Sequence, residues 1–136
     1  KPNVKYKAGE HQYNYETDHL GRIEKFSTDD LKLTTREERL PHASNTPGKQ
    51  LGDHAGHLAG DRFGGSPDLD NLVSQSNEIN LSKYKKLENK WAKAIKNGKN
   101  VKVEVKIKYD SENPRPTEFE VIYEIDGAID KLVLIN

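Results

Sequence analysis

An α+β fold is predicted for this chain from three patterns in its sequence. The first is a stretch of helical period from Ser82 that ends at Gly98; the second is a set of runs after it that alternate apolar with charged residues; the third is a looser alternation near the start, broken by a turn. The chain has 136 residues, 32% of them hydrophobic, with a mean hydropathy of -0.96. That length suits a single domain, 1–136, with a thin core and extensive loops.

Residues 12–17 and 22–27 read as the two strands of a hairpin, with Asp18-His19-Leu20-Gly21 as the turn between them. Residues 34–50 combine charge, two Pro and Ser-Asn-Thr without periodicity, and are expected to form a surface loop lying over a site. Short extended pieces at 51–59 and 69–75 flank the loop Gly60-Asp61-Arg62-Phe63-Gly64-Gly65-Ser66-Pro67-Asp68. Tyr84, Leu87, Trp91, Ala94 and Ile95 recur at helical spacing, and Gly98 stands where a left-handed terminator belongs. Tyr84, Leu87 and Trp91 are therefore expected in the core, with a nucleic-acid-facing Tyr84 as the alternative. Val101, Val103, Val105, Ile107 and Tyr109, then Phe119, Val121, Tyr123 and Ile125, alternate with polar residues as strands with one wet face do. Asp126-Gly127 turns the chain into a last strand at 129–135, which completes an antiparallel meander.

No run approaches the roughly 18 to 20 apolar residues that a membrane span requires, so membrane insertion is not expected. The sequence contains no Met, an initiator included, which leads to the expectation of a C-terminal piece cut from a longer chain. It also contains no Cys, so a metal site would have to use His, Asn, Asp, Glu or water. The 22 basic and 22 acidic residues cancel, yet residues 83–108 hold ten Lys against Glu88 and Glu104, a local excess of eight positive charges. Such a surface attracts phosphate; the plainer reading is a solvated helix and strand with their lysines outward.

Polar residues concentrate in Asp53-His54-Ala55-Gly56-His57 and in the run from Asn71 to Asn80, which leads into the helix bearing Glu88. With Gly-His first, Asn80 nine residues after Asn71, and Glu88 eight beyond that, the sequence resembles the DNA/RNA non-specific endonuclease family of His-Me-finger (ββα-metal) nucleases. The similarity runs from about Gly52 to Gly98 and more loosely into the C-terminal strands. It implies His57 as general base, Asn80 as the protein ligand of Mg2+ or Mn2+, and Asn71 and Glu88 as supporting polar members of the catalytic set. The Phe63-Gly64-Gly65 loop and the strand and helix that follow it are most similar to the C-terminal toxin domains of bacterial secretion systems, type VII included. A secreted toxin acting in a target cell's cytoplasm on DNA and on RNA, and restrained by an acidic immunity protein, is the corresponding expectation.

These residue types suit phosphodiester hydrolysis. A neutral imidazole can take a proton from water near neutral pH, and a hydrated divalent cation can offset charge on the phosphate and departing oxygen. One position departs from the family pattern. Many members carry Arg two residues before the catalytic His, where this chain has Ala55. A loop cation is expected to substitute, with Arg62 first because it lies nearest His57 in sequence, then Arg39 or Lys49. A noncatalytic nucleic-acid- or protein-binding module on the same fold is the alternative that Ala55 keeps open.

Other roles compete for the same residues. Asn80 could cap the helix, and Asn71 could shape a turn. If one helix includes Asn80 and Glu88, about 12 Å of axial rise separates them, which makes Glu88 a supporting residue rather than a second direct ligand. Residues three apart on an extended segment face opposite ways, so His54 and His57 are not expected to converge on zinc. His57 is expected to face Asn80 and His54 to turn away. His11, His19 and His42 are read as surface residues.

Overall fold

A computed structural model describes residues 1–136. The N-terminal strands are β1 (Lys5–Ala8), β2 (Tyr13–Thr17) and β3 (Ile23–Thr28); β4 (Asp53–His57) and β5 (Leu72–Ser76) form a separate antiparallel pair. The helix α1 (Tyr84–Lys96) precedes β6 (Val101–Tyr109), β7 (Pro116–Ile125) and β8 (Ala128–Ile135). The hairpin and meander read from the sequence are both present, as parts of one antiparallel sheet in the order β1-β2-β3-β6-β7-β8.

β3 joins the two halves by pairing with β6, where buried Phe26 lies opposite buried Val105. No local pattern announces that junction, because its partners lie far apart in the chain, from 81 positions between Lys25 and Lys106 to 75 between Thr28 and Val103.

 β1 adds a strand that the alternation near the start did not separate from β2, with Tyr6 stacked on Tyr15 at 5.1 Å between ring centroids.

One face of the sheet is apolar and carries α1. Val101, Val103, Val105, Ile107, Phe119, Val121 and Tyr123 are buried, as are Tyr84, Leu87, Trp91 and Ala94 on the facing helix stripe. Trp91 packs edge-on against Tyr84 and Tyr123, with ring centroids 5.9 and 5.7 Å away. Tyr84 is a core residue whose hydroxyl donates to Leu58 O at 2.5 Å. Gly98 ends the helix at φ +77, as the left-handed terminator requires.

The helical path starts before Ser82. It begins at Asn77 and passes through a π-helical turn, Ile79–Lys83, so Asn80 lies within it. The expected extended piece at 69–75 likewise opens with a 3-10 turn, Leu69–Asn71, before β5.

The lysine excess divides between two surfaces. On the sheet, Lys102 faces Glu124 at 3.5 Å, Lys106 and Lys108 face Glu120 at 4.0 and 3.6 Å, and Lys25 faces Glu104 at 3.2 Å. These partly solvated surface pairs add little stability, but they neutralise the strand. On the helix, Lys85, Lys86, Lys93 and Lys96 are exposed and make no ion pair, so the unbalanced positive charge lies there.

The β4–β5 pair is clamped to the sheet at one end. Arg115 grips Asp53 through two hydrogen bonds of 2.7 and 2.9 Å, and the Asn136 amide donates to Ser74 O and Pro116 O while accepting from Ser76 N. A two-pronged Arg–carboxylate contact fixes orientation as well as distance. No helix is long and apolar enough to cross a membrane.

Candidate active site

The end of β4, the loop after it and the helical segment line a cleft that holds His57, Asn80 and Glu88. The loop after β4 contributes Gly60, Asp61 and Arg62; the long loop 34–50 contributes Arg39. Lys85 and Asn89 extend the wall along α1.

His57 ends β4 and is buried, and its imidazole makes no hydrogen bond. Burial, then the neighbouring His42 and Arg39, hold its pKa down to about 4. The ring is neutral at neutral pH, the form that accepts a proton. Glu88 is half-buried and likewise has neither an ion pair nor a hydrogen bond. Burial raises its pKa to about 7 against the opposing pull of Arg62, Arg39 and Lys85. A carboxylate left in that condition suits a nearby cation.

Asn80 points its amide nitrogen at His54 Nδ1, 2.9 Å away. An amide nitrogen only donates, so Nδ1 accepts and the Asn80 carbonyl oxygen is the atom left free. His54 therefore does not turn away from Asn80, as the opposed-face reading expected. That reading treats β4 as flat, whereas an isolated two-stranded ribbon twists strongly, and both histidines border Asn80.

Asn71 is positioned differently from the other three. It is 0% exposed, and its amide makes four hydrogen bonds: it accepts from Ala59 N and the Tyr15 hydroxyl at 2.9 and 2.6 Å, and donates to Ala59 O and Ser66 O at 2.8 and 2.9 Å. Its capacity is spent inside the protein. Asn71 ties down the loop after β4 and is not among the residues lining the cleft, unlike His57, Asn80 and Glu88. Gly65 belongs to the same knot, because a Cβ there would strike the Ala59 carbonyl and approach Asn71 Nδ2 to 2.8 Å.

The three loop cations are not equivalent. Arg62 donates to Asn89 Oδ1 at 2.5 Å, and Lys49 donates to Ser44 O at 2.8 Å in an adjoining depression. Arg39 is exposed, makes no hydrogen bond or ion pair, and borders both the cleft and that depression. His42, read from the sequence as a surface residue, packs edge-on against His57 with ring centroids 4.8 Å apart. A loop without periodicity gives no signal that would have found it.

The sequence profile of the DNA/RNA non-specific endonuclease family matches residues 2–127. The chain belongs to that family. Relatives of this endonuclease include type VII secretion system proteins EssD from Staphylococcus aureus strains USA300, NCTC 8325 / PS 47 and Newman, each 40% identical over 93% of this chain. The chain spans 22% of the length of those relatives. The α+β architecture, with a strand pair leading into a helix, is that of a ββα-metal nuclease.

Proposed function

We propose that this endonuclease is metal-dependent and sequence-nonspecific, cleaving DNA and RNA, with His57 as the general base. The observation that carries the reading is the meeting of neutral His57, the free Asn80 carbonyl and unpaired Glu88 in one basic-rimmed cleft. Asn80 and Glu88 are hard oxygen donors, and no three His, Cys, Asp or Glu side chains cluster as a tight site would need. The pair fits Mg2+ or Mn2+ retaining most of its water. When bound, the cation would neutralise charge developing on the phosphate and departing oxygen.

The protein's own residues supply the rest. His57 takes the proton from the attacking water, and its burial keeps it in the accepting form. His54 holds the Asn80 amide with its oxygen toward the cleft. Arg39, from the loop, offers the phosphate the positive charge that Ala55 removes from β4, which favours a working site over the noncatalytic module. The exposed lysines of α1 extend phosphate binding without reading bases.

A plasmid-nicking assay with the purified protein tests this reading. Nicking is expected with millimolar-scale Mg2+ or Mn2+, loss with chelator, and recovery on adding the ion back. Full activity in chelator would refute the metal dependence, and the same series on single-stranded RNA tests the second substrate.

A second prediction ranks the cations. Arg39→Ala is expected to lower kcat/KM by about ten- to a hundred-fold, the scale of a charge-assisted contact. Arg62→Ala should cost less, because Arg62 is already engaged by Asn89, and Lys49→Ala least. Equal, small losses in all three would mean that the phosphate is held without them.

The kinship to type VII secretion proteins supports a secreted toxin acting inside a target cell. A producing cell would then need an immunity protein, and an acidic one would complement Lys85, Lys86, Lys93 and Lys96.

A further inference from the structure

We infer that His42 is a positioning residue for His57, supplied by the loop 34–50 to hold the general base's ring in place. This rests on the reading of His57 as the base. A base imidazole is ordinarily oriented by a hydrogen bond to its second nitrogen, and His57 has none. The ring that meets it is His42, edge-on at 4.8 Å.

The loop is built to keep His42 there although it has no regular secondary structure. Pro41 fixes the backbone immediately before it. On either side, Leu40 N donates to Asp61 Oδ1 at 3.4 Å and Ala43 N to Pro67 O at 2.9 Å. Further out, Arg36 pairs with Asp61 at 3.1 Å, and Thr46 and Ser74 share a buried hydroxyl contact of 2.7 Å. Asp61 and Pro67 lie in the loop after β4, so the segment that carries His42 is tied to the segment that follows His57. His42 itself is exposed and makes no hydrogen bond, and its ring contact with His57 requires an aromatic shape rather than a particular nitrogen.

The test is a comparison of His42→Ala, His42→Gln and His42→Phe in the cleavage assay, with thermal unfolding and the NMR signals of the His57 ring recorded for each. His42→Ala and His42→Gln are expected to lower kcat by about ten- to a hundred-fold, the scale for misplacing a reacting group by about an ångström, with KM nearly unchanged. His42→Phe should restore most of kcat and keep the His57 ring signals near their original positions. If His42→Phe is as impaired as His42→Ala while folded, a nitrogen of His42 is needed and the positioning role is wrong. Full activity in a folded His42→Ala would also overturn it. Should His42→Ala fail to fold, His42→Phe and His42→Gln still decide the matter by their difference. His57→Ala, run alongside, separates the two readings: high activity there removes His57 as base, whatever His42 does.

Discussion

His57→Ala is expected to lower cleavage by about two to four orders of magnitude, the range for losing a general base, while the protein stays folded. The side chain makes no hydrogen bond that its removal would orphan, so the structural cost is lost packing, that against His42 included. His54→Ala should behave differently. It frees the Asn80 amide to rotate, and its deficit should shrink as Mg2+ is raised, whereas that of His57→Ala should not. Imidazole added to His57→Ala should recover part of the rate by occupying the vacated space. Near-original cleavage by His57→Ala, or a larger loss from folded His54→Ala at saturating metal, would reverse the assignment. The neutral form of His57 also fixes a sign. With its pKa held near 4 rather than the ordinary 6.5, His57 lends no stability at low pH: the folded state loses stability as pH falls from about 6.5 toward 4, because the unfolded chain binds the proton more readily.

The meeting of His57, Asn80 and Glu88 was legible because all three lie on a short stretch of strand, loop, strand and helix, where spacing nearly dictates geometry. The meander and hairpin were legible for the same reason, since each is made of neighbours with one buried face. What lay beyond local pattern was the joining of β3 to β6 through Phe26 and Val105, and the delivery of Arg39 and His42 by a loop anchored at Asp61, Pro67 and Ser74. Those contacts depend on where distant segments dock. His54 was misjudged for a subtler reason: the alternation rule holds for a flat strand, and twist in a two-stranded ribbon weakens it.

Asn80→Ala is expected to be the most damaging change to metal use, raising the Mg2+ or Mn2+ concentration needed for half-maximal cleavage by at least about ten- to a hundred-fold, the loss seen when even a supporting metal contact is removed. Manganese binding, measured directly without substrate, should weaken in parallel. Glu88 gives the same site a pH dependence. Its carboxyl is protonated below about 7 in the metal-free protein, and a cation favours the ionised form. Between pH 8 and pH 6 the ionised share falls from about nine-tenths to about one-tenth, so manganese should bind about ten-fold more weakly at pH 6. Glu88→Gln should bind more weakly at pH 8 and lose most of that dependence, because the amide does not titrate. Direct manganese binding that is unchanged in Asn80→Ala, or equally steep in pH for Glu88→Gln, would place the cation elsewhere. Eight helical positions correspond to about 12 Å along the axis, so in the proposed site Asn80 would touch the ion and Glu88 would hold its water.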